Sequence, residues 1–227
     1  VIESVETDGD ADRAMTLAIQ RQRKLLRTPP SPRSVEFAVA FRPAKGVGSE
    51  FYDFIELAED RLAVVVGDVA GYEGLETEGD VTMAIRSMRI FARKSHSPRE
   101  ILIRTNDELV PDLMAEANLT VVVSMLDLRE GTLTTAQSGH QPVLLFNPQR
   151  DPNPRLIKPS GMVLGLVRGP RFDDLLEEDR LSLKVGDVVL WYTEGLPSTR
   201  NARGQEFGID SLCILLQSHG HRSAESL

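Results

Sequence analysis

The sequence predicts an α+β fold in which two antiparallel sheets are flanked by helices. Three observations carry that prediction. Apolar residues alternate with period two in runs joined by short polar turns, as antiparallel hairpins require. Helical stripes arrive as an adjacent pair instead of alternating with strands, which argues against a βαβ parallel sheet. The chain has 227 residues, 41% apolar and 26% charged, an ordinary globular balance that supports a sizeable core.

The elements follow in order. Residues 10–27 predict a helix with Asp10 as cap. Ala11, Met15, Ala18, Ile19, Gln22, Leu25 and Leu26 share one face, and Thr28-Pro29-Pro30-Ser31-Pro32 ends it. Residues 1–32 therefore read as a helical arm or linker, and 33–227 as the domain proper. Arg21, Arg23, Lys24 and Arg27 suit the C-terminal end of the helix dipole and read as a solvated face. Val35, Phe37, Val39 and Phe41 alternate with Glu36, Ala38, Ala40 and Arg42, the pattern of a half-buried strand.

Residues 51–57 and 62–67 predict a hairpin around Ala58-Glu59-Asp60-Arg61, its second strand buried on both faces. Val81, Ala84, Ile85, Met88, Phe91 and Ala92 stripe a helix over 78–94. Ser97-Pro98-Arg99-Glu100 opens another over 98–110, with a capping box and proline at the first helical position. Strands are predicted at 119–128, 132–137 and 142–146, followed by a polar loop at 147–155. Residues 180–184 and 188–193 predict a further hairpin about Val185-Gly186-Asp187, and 209–217 an amphipathic helix.

Charge and cysteine content narrow the function. Lys and Arg number 26 against 34 Asp and Glu, a formal charge of −8. That balance argues against a nucleic-acid binder, which needs a basic footprint, and against docking on an anionic membrane. No apolar run approaches the ~18 residues of a membrane span. The single cysteine, Cys213, excludes an internal disulfide and a Cys-cluster metal site, and reads as a small buried hydrophobe. A reducing, cytoplasmic setting is expected. The chain starts at Val1 and reads as a piece of a longer protein.

The informative feature is where carboxylates meet apolar strands. Asp68 ends the run 62–67, Glu194 ends the run 188–193, and Glu50 starts the strand after Gly48-Ser49. A carboxylate at the mouth of a buried strand is costly unless paired or holding a cation. Acids converging on one rim would form a hard, oxygen-rich site suited to Mg²⁺ or Mn²⁺. Taken singly, each acid is more often a turn residue bonding its own backbone. Spacing alone leaves the metal reading a minority option.

An ordered set of motifs changes that balance. Pro43-Ala44 followed by Val47-Gly48-Ser49-Glu50-Phe51-Tyr52-Asp53 resembles the Pro-Ala…Val-Gly-Gly-Asp-Phe-Tyr-Asp signature of bacterial PPM-type serine/threonine phosphatases of the SpoIIE/RsbU branch. Gly67-Asp68-Val69-Ala70-Gly71-Tyr72 is similar to its Gly-Asp-Val-Ser-Gly-His. Asn106 and Leu109 match its Leu-Asn…Leu helix, and Ser138-Gly139-His140-Gln141-Pro142 its Ala-Gly-His-Pro-Pro. Leu164-Gly165-Leu166, Val185-Gly186-Asp187, Tyr192-Thr193-Glu194-Gly195-Leu196 and Glu206-Phe207-Gly208 follow in order, so the matches run from about residue 20 to about 217.

The resemblance implies a PPM-type α-β-β-α sandwich. It implies hydrolysis of a phosphoserine or phosphothreonine protein, such as an anti-sigma-factor antagonist, with Mn²⁺ or Mg²⁺ as cofactor. Two such ions roughly 3.5–4 Å apart share a bridging water and aim it at phosphorus. Carried over, Asp68 is the bridging ligand and the catalytic residue, Val69 supplies its carbonyl, and Glu50 and Glu194 stand where the family has aspartates. No protein nucleophile is required, and His140 reads as structural. Glutamate is longer by roughly 1.5 Å, so the alternative reading is a catalytically impaired binding or signalling module. Ser49 replaces a glycine, Tyr72-Glu73 the usual His-Gly, and Glu76-Thr77-Glu78 small apolar residues. The resemblance also implies a fourth aspartate in a final strand past the C-terminal helix; no such segment occurs before Leu227, so the domain reads either as cut short before its last strand or as lacking it. The apolar face of the 10–27 helix is expected to pack on the domain or to form a homodimer, and in family terms to relay an upstream signal.

Overall fold

A computed structural model describes residues 8–32, 34–43, 48–58, 60–70, 77–111 and 118–227. Ala44, Val47, Glu59, Gly71, Tyr72, Glu73 and Glu76, which belong to the motifs and turns above, lie outside the described residues.

The first sheet runs β1 (Glu50–Ala58), β2 (Arg61–Ala70), β3 (Asn118–Asp127), β4 (Thr132–Ser138), β7 (Glu178–Ser182), all antiparallel. The second runs β6 (Arg155–Ile157), β5 (Val143–Phe146), β8 (Val188–Leu190), also antiparallel. Strand alternation sorts the core into layers. On β3, Leu119, Val121, Val123 and Met125 pack with Val81, Ile85 and Met88 of α2 (Thr77–Ala92) and Ile101, Leu102 and Leu109 of α3 (Pro98–Leu109). Val122 points the other way, against Val143 and Leu145 of β5 and Ile157 of β6. Leu144 and Phe146 then meet Leu212 and Leu216 of α5 (Gly208–His219). The order is helices, sheet, sheet, helix, the expected sandwich.

Ser97 caps α3 as expected, its hydroxyl accepting from the Glu100 N–H at 3.2 Å. Glu100 reaches back to the His96 N–H at 2.8 Å instead of the Ser97 N–H, and that bond pulls its carboxyl below the usual range. Cys213 is partly buried beside the β5–α5 layer, and burial pushes its thiol up, which makes it a poor nucleophile.

Three expectations need correction. Residues 35–41 form no strand. Phe37 stands edge-on to Phe54 with centroids 5.4 Å apart, and Phe41 edge-on to Tyr52 at 5.9 Å. The alternation records aromatic anchoring on β1, not a ladder. The runs at 180–184 and 188–193 are not a hairpin. β7 joins β4 and β8 joins β5, so the turn between them carries the chain from one sheet to the other. Asp187 fixes that turn by accepting from the Lys184 N–H at 2.8 Å and from Asn147 Nδ2 at 2.7 Å, with Gly186 at φ +85°. The polar stretch 147–155 runs into the short strand β6, and α4 (Pro170–Asp173) was not foreseen.

The first helix, α1 (Asp8–Leu25), starts two residues ahead of the predicted cap Asp10. Its C-terminal half lies against the sandwich, with Ala18 and Gln22 buried and Leu25 and Leu26 packed on the helix-side core. One ion pair ties it down. Asp53 of β1 is 1% exposed and faces α2, where Arg89 grips both its oxygens at 2.6 and 3.0 Å. Arg89 also donates to the Leu25 carbonyl at 2.6 Å, and Arg27 stands 3.7 Å from Asp53. Strand, helix and arm therefore share one buried charge.

Removing one partner of such a pair leaves the other uncompensated, at about 3–5 kcal/mol. Asp53→Ala is expected to lower unfolding free energy by about that amount in urea titrations. A loss under about 1 kcal/mol would contradict the hub.

Candidate metal centre

The β1–β2 register places Glu50 directly opposite Asp68. Phe51 and Ile55 of β1 and Val65 and Val69 of β2 belong to the helix-side core, so alternation turns Glu50 and Asp68 toward the second sheet. They sit at the open end of the inter-sheet layer, where β1 begins and the apolar run of β2 ends. The Val69 N–H donates to the Ser49 carbonyl at 3.2 Å and closes the ladder there, and the Val69 side chain is buried.

Asp68 Oδ1 is buried without a hydrogen-bond partner among the described residues. A buried carboxylate oxygen left unpaired is expensive, and a cation is one way to satisfy it. Glu50 reaches across to the other sheet. A methyl group built on Gly195 would stand 3.4 Å from Glu50 Oε1, and one built on Gly48 would collide with Glu50 Oε2. The glycines on either side of Glu50 thus leave the space its longer side chain fills.

Glu194 occupies an exposed turn beyond β8. Its carbonyl accepts from the Ser198 N–H at 3.1 Å and from the Ser198 hydroxyl at 2.8 Å. Its carboxylate is engaged elsewhere: Gln141 Nε2 donates to Glu194 Oε2. Glu50, Asp68 and Gly195 therefore meet at one rim. Among the described residues, however, no group of three or more His, Cys, Asp or Glu side chains is drawn together to hold a metal ion. The donor chemistry fits a hard dication, and the orphaned Asp68 oxygen fits it best. The third acid is turned to Gln141.

Three polar residues outside the predicted set shape this rim. Gln22 of α1 donates to the Gly48 carbonyl at 2.6 Å and to the Glu50 carbonyl at 3.3 Å, and accepts from the Gly48 N–H at 3.2 Å. The sequence signal was a polar residue on the apolar face of a helix. Asn106 of α3, which the sequence marks only as a motif match, donates to the Val167 carbonyl at 2.7 Å and accepts from the Gly165 N–H at 3.0 Å. It pins a loop whose Leu164 bridges Leu119, next to Thr120 opposite Asp68. Gln141 carried no signal beyond its place in a motif.

His140 is 3% exposed, and burial pushes its imidazole down to about 4. Its imidazole is therefore neutral at neutral pH. Its backbone N–H donates to Gln137 Oε1 at 2.6 Å, and Gln137 Nε2 donates to the Pro159 carbonyl at 2.6 Å. Tyr192, also buried, is pushed up to about 12, mainly by burial.

Because His140 is depressed in the folded state, the unfolded chain binds the proton more readily. Its contribution to stability is complete above the unfolded value of 6.5 and is lost as pH falls toward about 4. Urea unfolding is expected to show this slope between those limits, and His140→Gln to flatten it. An imidazole that titrates near its ordinary value by NMR would contradict the burial.

Comparison with known proteins agrees with this architecture. The family model for Stage II sporulation protein E (SpoIIE) matches residues 58–227, which include Asp68 and Glu194. Protein IcfG of Synechocystis sp. is 22% identical over 224 residues, covering 87% of this chain. The chain spans 34% of that relative's length. The SiaA-PP2C domain of Pseudomonas aeruginosa superposes with a TM-score of 0.80 at 18% identity, over 99% of this chain and 88% of that one. The RsbU and RsbW domains of a Mycobacterium tuberculosis protein give 0.62 at 26%, over 82% and 47%. The PP2C phosphatase domain of SpoIIE from Bacillus subtilis, with a fragment of its regulatory domain, gives 0.61 at 13%, over 80% and 51%. Two antiparallel sheets between helices, the ordered motifs and the family match lead to one conclusion: the chain belongs to the Stage II sporulation protein E family, in the SpoIIE/RsbU branch of PPM-type phosphatases.

Proposed function

We propose that this chain is a metal-dependent protein serine/threonine phosphatase acting on a phosphorylated bacterial signalling protein, such as an anti-sigma-factor antagonist. The observation that carries the proposal is Asp68, whose buried Oδ1 has no hydrogen-bond partner among the described residues and stands at the inter-sheet rim opposite Glu50. Mn²⁺ or Mg²⁺ bound there would activate water and neutralise phosphate charge. In this reading Asp68 would be the catalytic residue and the shared metal ligand, and Glu50, Glu194 and the Val69 carbonyl would complete the donor set. His140 stays neutral and holds its turn. Gln22 fixes the backbone from which Glu50 projects, and through it α1 would carry an upstream signal from the 1–32 arm to the rim.

The alternative, an impaired phosphatase-like module, has its own supporting observation. Glu194 is bonded to Gln141, and no three-acid group is assembled among the described residues. A reducing, cytoplasmic setting belongs to this reading, in keeping with a single cysteine that can form no internal disulfide. Among the described residues, no helix is long and apolar enough to cross a membrane.

Turnover of a phosphoserine peptide is expected to be weak and metal-dependent, with Mn²⁺ better than Mg²⁺ because Mg²⁺ demands a stricter octahedron. Asp68→Asn is expected to lower kcat by at least about 100-fold, a loss of about 3 kcal/mol. The pair Glu50→Asp with Glu194→Asp should raise it about tenfold. Wild-type silence with activity in the double variant favours the module reading. Full activity in Asp68→Asn removes the site assignment.

A further inference from the structure

Glu194 and Gln141 come together because the β5–β8 ladder brings them to one end. Leu144 pairs with Leu190, so the residues before β5 and those after β8 leave the sheet on the same side. Both partners stand on fixed turns. Around Gln141, Gly139 bridges Val121 of the first sheet at φ +71°, and a side chain there would collide with Val163. Ser138 Oγ donates to the Met162 carbonyl, and Gln137 holds the His140 N–H at 2.6 Å. Around Glu194, the Ser198 N–H and hydroxyl fix the backbone carbonyl, and the Thr199 hydroxyl donates to the Gly195 carbonyl at 2.7 Å. The Gln141–Glu194 bond is therefore not a chance meeting of two free side chains.

This turn lies at the seam between the sheets. Gly139 bridges Val121, and Thr120 beside it faces Asp68 across the β2–β3 ladder. The Gln141 amide thus holds an acid that the turn after β8 carries toward the rim. The motif that this turn resembles carries proline at the position of Gln141, and proline has no side-chain donor.

We propose that Gln141 is a positioning residue for Glu194, a latch whose amide holds the carboxylate out of the Glu50–Asp68 cluster. The proposal rests on the reading of the rim as a metal centre. Engagement of Glu194 with a divalent cation then competes with the hydrogen bond from the Gln141 amide to Oε2, and cation affinity is lowered by that exchange. The latch accounts for two observations together: the bond itself, and the lack of a three-acid group among the described residues. Among the described residues the Gln141 amide is bonded to Glu194, so its effect on the cation is separable from an effect on folding.

The test is calorimetric titration of the 227-residue chain with Mn²⁺ alone. Gln141→Ala and the bulkier Gln141→Leu, each checked for an unchanged melting temperature, are expected to bind Mn²⁺ about tenfold more tightly, about 1.4 kcal/mol. In a Glu194→Ala background the same substitutions should change nothing, because the latch has lost the group it holds. Unchanged or weaker binding in both Gln141 variants overturns the latch, as does tightening that persists without Glu194. Binding that survives Asp68→Asn overturns the metal-centre reading and the latch with it. Binding abolished by Asp68→Asn but indifferent to Gln141 overturns the latch alone.

Discussion

The register between β1 and β2 is the constraint on which the rim depends. Glu50 faces Asp68 only because Phe51, Ile55, Val65 and Val69 must bury under α2 and α3. A slip of one residue would turn every side chain of β1 to the opposite face. Phe51 would then lose its place in the core, and Asp53 would leave Arg89. The apolar pattern thus selects the register, and the register delivers two carboxylates to the same end of the inter-sheet layer. The acids are held by the packing of their neighbours, not by attraction to each other.

Polar clamps complete what packing begins. The first sheet is anchored to its helices by one buried charge, Asp53, shared with Arg89 and through it with the end of α1. The same α1 holds the Gly48–Glu50 turn through Gln22. Movement of α1 therefore acts on two points of β1, one at the rim and one three residues further in. On the opposite side of the layer, Trp191 donates to Ser124 at 2.9 Å, and Ser124 shares a hydrogen bond with Thr135 at 2.8 Å. That buried network links the sheets and leaves the position of the turn carrying Glu194 set by the sandwich itself.

Much of the fold was legible because its apolar patterns are local. The β1–β2 hairpin, the α2–α3 pair and the β3–β4 hairpin each declare themselves within a few residues. Residues 35–41 misled because alternation in a segment anchored by Phe37 and Phe41 looks the same as alternation in a ladder. The run 180–193 misled because two strands joined by a tight turn need not pair. Asn147, about forty positions away, holds that turn between two sheets. At the site, Glu50, Asp68 and Glu194 were visible as acids at strand mouths. Gln22, Asn106 and Gln141 act through contacts between distant segments, so no spacing could assign their partners. The helical arm shows the same limit: its apolar face was visible, and the carbonyl that Arg89 binds at its end was not.

Binding of divalent cations at the rim where Glu50 opposes Asp68 is tested most directly by anomalous scattering from crystals soaked in Mn²⁺. A peak is expected about 2.0–2.2 Å from an oxygen of Asp68, at the open end between the sheets. Anomalous density confined to other parts of the surface, with Asp68 Oδ1 still unligated, would contradict it.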